Sequence, residues 1–266
     1  MRQRRPHVNH NEAKQVLSST LTSDGPRLIT IRADSGKGKS TLLSWFEDEC
    51  RAQSITCAML TFREVKSFDG YQVLDAFARK LTPCAYAEYQ KGIGELLSSA
   101  GASVTIQNVS LEGSQISGIQ AIGSDPVRKR HVLARLSEGW FADADAFAAT
   151  QTAARTRRVV VILDTFEEAS NEVKVWLEDA LQIVREKANV VLVVAGREKI
   201  AVDAARREGE CCHLELPAEF EYRFWREYAE RTGALRLFDE TALRQWHQRW
   251  HGDPKAMSDL CDLEVQ

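Results

Sequence analysis

The chain has 266 residues, with 35 Lys and Arg against 38 Asp and Glu and a formal net charge of −3. Hydrophobic residues make up 44 % and charged residues 27 %, a globular balance that excludes wholesale disorder and suits one to two domains with a buried core. The near-neutral charge excludes nucleic-acid binding through bulk charge, although a local basic patch stays open.

The basic N-terminus, Met1 to Pro6, is followed by no apolar stretch, so no secretory signal is expected. Residues 12–21 show a helical pattern (Ala13, Val16, Leu17, Leu21), closed by the turn signal Asp24-Gly25-Pro26. Leu28–Ile31 reads as a short buried strand, followed by a Gly-rich loop and a helix to about Cys50. Ile55–Phe62 reads as a second strand. Tyr71 to Leu97 is helical, with a break near Pro83. Residues 101–124, rich in Gly, Ser, Gln and Asn, are expected to form an inserted loop or small hairpin.

Asp125-Pro126 signals a helix start, and Leu133, Leu136, Trp140, Ala144 and Phe147 form one apolar stripe behind it. Arg157–Asp164 is an apolar strand ending in an acid. A further helical stripe follows (Val173, Trp176, Leu177, Ala180, Leu181, Val184), then a strand at Val190–Ala195 and a last one at Cys211–Leu216. After Pro217 the chain reads as helical. Strands that alternate with helices and are continuously apolar predict a parallel sheet covered on both faces. The expected architecture is a three-layer α/β core over residues 1–216 and a small helical lid over 217–266.

Neither long aliphatic run, Val159–Leu163 or Val190–Ala195, approaches the ~20 residues that span a bilayer, so no membrane partner is expected. Six cysteines (Cys50, Cys57, Cys84, Cys211, Cys212, Cys261) include no C-x-x-C pair. That fits reduced thiols and a cytoplasmic location better than disulfides or zinc, and the histidines show no ligand spacing either.

Ala33-Asp34-Ser35-Gly36-Lys37-Gly38-Lys39-Ser40 fits the phosphate-loop pattern, with Ala in place of its first Gly, and Thr41 continues it into a helix. Gly36 and Gly38 allow the backbone to turn its N–H groups toward phosphate oxygens, and the helix adds its positive end. Ser35, Gly36, Lys37, Gly38, Lys39, Ser40 and Thr41 are therefore the candidate nucleotide-binding residues. Lys39 is placed to reach the β- and γ-phosphates of ATP, and the Ser40 hydroxyl to ligate Mg²⁺.

Val159–Asp164 has the form of a Walker B strand, which makes Asp164 the second candidate Mg²⁺ ligand. Of the acids that follow, Glu168 is favoured over Glu167 as the base for the attacking water. The alternative for one of them is a charged first turn of a helix. Arg197 follows the strand at Val190–Ala195, where ligands of such sheets bind, and is read either as a γ-phosphate contact or as an ion-pair partner of Glu198 or Glu167.

The order A-D-S-G-K-G-K-S-T, V-I-L-D-T-F-E-E, V-V-A-G-R resembles the STAND-type ATPases, the NACHT and AP-ATPase relatives of AAA+. The acid, small, apolar, acid, acid pattern matches Asp164 to Glu168, and the family's sensor-1 arginine matches Arg197. The family's Gly-x-Pro near adenine matches Gly252-Asp253-Pro254, which also reads as a helix start capped by Asp253. The family's apolar-Asn-Arg motif near the nucleotide is matched loosely by Val8-Asn9-His10.

This resemblance implies an ASCE/AAA+-like P-loop NTPase that binds and hydrolyses ATP with Mg²⁺. It further implies a switch that couples nucleotide state to oligomerisation and signalling or defence, including antiphage immunity. The partners it implies are further copies of the chain, or effector and sensor subunits or domains. The chain starts at the ATPase and stops after the Gly-x-Pro helix, as a fragment or as one subunit of such a system would.

Two other readings stand beside this one: a nucleotide-locked scaffold without turnover, and a DNA-associated AAA+ ATPase. The interleaved Arg244, Trp246, His247, Arg249, Trp250 and His251 suit a stacking surface, but Leu243, Trp246 and Trp250 also recur at helical core spacing. Arg128, Lys129 and Arg130 offer candidates for an arginine finger, or a solvated helix face.

Overall fold

A computed structural model describes residues 10–22, 25–81, 84, 86–99, 126–151, 157–200, 211–217, 220–236 and 239–263. Val8, Asn9 and the 101–124 segment lie outside them. The chain runs α1 (Asn11–Ser19), β1 (Leu28–Arg32), α2 (Lys39–Ala52), β2 (Thr56–Thr61), α3 (Gly70–Lys80), α4 (Ala87–Ser99), α5 (Pro126–Thr150) and β3 (Val159–Asp164). A 3-10 turn at Phe166–Glu168 leads to α6 (Asn171–Arg185), β4 (Val190–Gly196), β5 (Cys211–Glu215), α7 (Tyr222–Thr232), α8 (Glu240–Arg249) and α9 (Pro254–Leu263).

The five strands form one parallel sheet in the order β2-β3-β4-β1-β5. The continuous apolar runs of β3 and β4 are explained by what covers them. Val159, Val161 and Leu163, with Val190, Leu192 and Val194, pack under α3 to α6. Their alternates Val160, Ile162, Val191 and Val193 pack under α1 and α2. Both central strands are buried at every position, as a doubly covered sheet requires, while the edge strand β5 has no buried residue.

Local chemistry sets the helix starts. Asp69 and Gln72 form a reciprocal capping box on α3. Ser170 accepts from Val173 N–H at the start of α6 and donates to the Phe68 carbonyl at 2.7 Å, tying that helix to the β2–α3 connection. Asp143 of α5 accepts the Glu88 and Tyr89 N–H groups, so one helix caps another.

The helices after β5 have a small core of their own, built from Phe220, Trp225, Tyr228, Leu243, Met257 and Cys261. Trp246 and Trp250 pack against it. Arg244 lies 4.7 Å over the Tyr222 ring. The interleaved aromatic residues therefore serve mainly to pack this unit. Among the described residues no helix is long and apolar enough to cross a membrane.

Candidate functional site

β1 leads through α2 to β2 on one side of the sheet, whereas β4 leads to β5 on the other. The carboxyl ends of β1 and β4 thus form a topological switch point, the place where open parallel sheets bind ligands. A cavity of about 440 Å³ opens there. Residues 35–41 form its floor, and Arg63, Thr165, Glu167 and Arg197 form one wall. The lid helices close it with Phe224, Trp225 and Tyr228 from α7 and Pro254, Lys255, Ser258 and Asp259 from α9.

The floor needs its glycines. Gly36 and Gly38 sit at φ +80° and +83°, a left-handed conformation that strains any side chain. Space is short as well, because a Cβ on Gly36 would lie 3.1 Å from Lys255 Cβ and one on Gly38 3.1 Å from His10 Nε2. Gly38 is the N-cap of α2 and brings no side-chain cap. The first N–H groups of the helix are left for an incoming anion, with the helix dipole behind them.

Lys39 is nearly buried and folds back onto its own loop, donating to the Ala33 carbonyl at 2.5 Å and the Asp34 carbonyl at 2.9 Å. Burial lowers its pKa from the usual lysine value, against the pull of Glu167 and Asp164. Ser40 Oγ donates to Asp164 Oδ2 at 2.7 Å, and the other Asp164 oxygen accepts the Thr165 N–H at 2.8 Å. This hydroxyl–carboxylate pair fits Mg²⁺, which takes one or two protein oxygens and completes its shell with water and phosphate. Among the described residues no group of three or more His, Cys, Asp or Glu has a metal-holding arrangement.

The two glutamates part company at the 3-10 turn. Thr165 opens it at φ 58°, ψ 42°, a rare conformation for a β-branched residue and a mark of local strain. Glu167 lines the cavity, with Oε1 at 2.8 Å from Arg197 Nε and Oε2 accepting the Arg197 N–H at 3.2 Å. Glu168 is not among the lining residues. It pairs with Lys66 at 2.5 Å, and that ammonium lowers its pKa from the ordinary glutamate value. Arg197 thus lines the cavity and makes the Glu167 ion pair at the same time.

At the opposite rim, Lys37 Nζ meets Asp253 Oδ2 at 2.7 Å, joining the loop to the lid. Asp253 also accepts the Ala256 N–H at 2.9 Å, so it caps α9 while Pro254 occupies the first helical position and faces the cavity. The segment thus starts a helix and also lines the cavity. Away from the cavity, Lys129 pairs with Glu172, and Arg130 makes a two-pronged bond with Asp179, both on α6.

Two features of the site escape a linear reading, and a third, His10, is matched only loosely by its motif. Arg63 arrives from the end of β2, and the aromatic wall arrives from α7. His10 backs the loop, its Nε2–H donating to the Lys37 carbonyl at 3.2 Å and its ring edge-on to Phe220.

Burial lowers the His10 pKa from 6.5 to about 4. The unfolded chain therefore takes up this proton near pH 6.5 and the folded chain only near pH 4. The resulting stability is complete above pH 6.5 and is lost as pH falls toward 4. Between pH 7.5 and pH 5 the loss is about 2 kcal/mol. His10→Gln, which retains the donor, is expected to remove that part of the pH dependence in urea titrations at the two pH values. An unchanged dependence would place the titration elsewhere.

The fold is that of a P-loop NTPase: a five-stranded parallel sheet between helical layers, with the glycine loop at the switch point. A solved Walker-type ATPase of Pyrococcus abyssi is similar in structure, with a TM-score of 0.56 and 13 % sequence identity. The match covers 94 % of this chain and 65 % of that one, so the chain spans just under two thirds of its length. No protein-family model matches the sequence, and no curated protein matches it.

Proposed function

We propose that the chain binds a nucleoside triphosphate, ATP by the family resemblance, and hydrolyses it as a slow switch. The observation that carries this reading is the meeting of Ser40 and Asp164 at 2.7 Å beside Lys39, under a lid tied to the loop by Lys37 and Asp253. The N–H groups at the start of α2 and the Lys39 ammonium would bind the phosphates. Ser40 and Asp164 would hold Mg²⁺, which when bound neutralises phosphate charge. Glu167 has the position to orient and deprotonate a water, since it faces the cavity while Glu168 is held by Lys66. Arg197 holds Glu167 in place and lies within reach of the same space.

The lid contacts support coupling of nucleotide to a change in shape, because a ligand that binds both walls favours the closed arrangement. Oligomerisation with further copies or with effector and sensor chains, and a role in signalling or defence, follow from the STAND-type resemblance alone. The test is ATP binding and steady-state hydrolysis measured against protein concentration, with and without Mg²⁺. Turnover per subunit that rises with concentration supports the oligomer-coupled switch. ATP retained without turnover supports the scaffold reading, stimulation by DNA supports the DNA-associated one, and no ATP binding overturns the proposal.

A further inference from the structure

The cations of the cavity are not equivalent. Lys39 is engaged by two loop carbonyls, Lys37 by Asp253 and Arg197 by Glu167. Arg63 and Lys255 line the same cavity, yet among the described residues neither side chain has a hydrogen bond or an ion pair. Lys255 lays its stem along Gly36 from the lid side. Arg63 stands on the opposite wall. The Arg63 charge helps to lower the Glu168 pKa, but its guanidinium bonds to no carboxylate among the described residues, so its paired donors are available to a bound anion.

Topology says which part of the anion. Phe62 N–H donates to the Asp164 carbonyl at 3.0 Å, extending the β2–β3 ladder by one rung. Arg63 is the next residue, so it leaves the sheet directly beside Asp164 and Thr165. Across the wall the order is Arg63 after β2, Asp164 at the end of β3 with Glu167 after it, Arg197 after β4, and then the glycine loop after β1. Arg63 therefore lies past the Ser40–Asp164 pair, on the side away from the loop. The loop grips the inner phosphates of a nucleotide, and Arg63 faces the place that only a further phosphate fills.

We infer that Arg63 is the residue of this chain that distinguishes a nucleoside triphosphate from a diphosphate, by binding the terminal phosphate from within the same subunit. A planar guanidinium suits this task because it offers paired donors to two phosphate oxygens. The inference rests on the nucleotide-binding reading above and refines it.

The experiment is equilibrium binding of fluorescent ATP and ADP analogues in Mg²⁺ to wild type, Arg63→Gln, Arg63→Lys and Lys39→Ala. Arg63→Gln is expected to weaken the ATP analogue by about 10-fold or more and to leave the ADP analogue near wild type. Arg63→Lys should restore part of the difference, because it returns the charge but not the fork. Equal loss for both nucleotides would reduce Arg63 to general electrostatics and overturn the inference, as would no loss for either. If wild type binds neither analogue, the nucleotide reading itself fails. If wild type binds both and Lys39→Ala neither, that reading stands whatever Arg63 does.

Discussion

Lys39→Ala is expected to weaken ATP binding at least 100-fold, a loss of about 3 kcal/mol, while the protein keeps its fold. The ammonium is nearly buried and its bonds go only to carbonyls of its own loop. Its removal therefore opens no pair that joins two elements of the sheet. It does delete a cation at the mouth of α2, where the helix N-terminus already directs N–H groups toward phosphate. Calorimetry with ATP and Mg²⁺, alongside thermal unfolding of the free variant, separates the two effects. Unchanged affinity would remove the glycine loop from the binding site. A collapsed melting temperature would mean that Lys39 braces the loop and that the affinity loss reports folding.

Glu167→Gln is expected to retain ATP and to lower turnover by about 100-fold or more, whereas Glu168→Gln stays near wild type. Both substitutions keep size and remove one charge. They differ in what the charge meets: Glu167 is in the cavity against Arg197, and Glu168 is outside it against Lys66. The Lys66 end of the second pair is exposed and the Glu168 end half-buried, and Gln keeps the shape and a polar terminus there, so Glu168→Gln should also fold normally. Single-turnover phosphate release, with ATP binding measured in parallel, is the decisive comparison. Loss of turnover in Glu168→Gln with normal turnover in Glu167→Gln would show that the bound state turns the 3-10 segment over and brings Glu168 inward.

That contrast shows where a linear reading stops. The glycine loop is legible because its pattern is contiguous: Gly36, Gly38, Lys39 and Ser40 lie within a few residues of one another. Asp164 is legible because it terminates an apolar run that could only be a covered strand. The helices announced themselves through stripes such as Val173, Trp176, Leu177 and Ala180, every one of which is buried. The choice between Glu167 and Glu168 is different in kind. It depends on a left-handed Thr165, and neighbouring acids carry no mark of which way such a turn throws them. The sequence pattern favours Glu168, and the geometry favours Glu167.

Arg63 and the α7 aromatics illustrate a second limit. Arg63 belongs to no local motif. It reaches the site because β2 lies beside β3, a fact of sheet order. Phe224, Trp225 and Tyr228 read as the apolar face of an amphipathic helix, which they are. Their second role, as a wall of the cavity, exists only because α7 and α9 stand over the loop. Pro254 could be read both as a helix start and as a site residue; it starts α9 and lines the cavity.

The place of β1 in the sheet has a consequence for how the protein is made. Its two hydrogen-bonded neighbours are β4, residues 190–196, and β5, residues 211–215. β2, the next strand in the chain, pairs instead with β3. As the chain emerges from a ribosome, the strand that carries the glycine loop appears first and waits longest for a partner. Contacts of such sequence separation form late and slowly. Until residue 215 has been synthesised, the apolar strand before the loop has an open edge on at least one side. Chaperone capture or aggregation during synthesis should therefore concentrate on nascent chains shorter than this, and a ribosome stalled before β4 would display a glycine loop with no pocket around it.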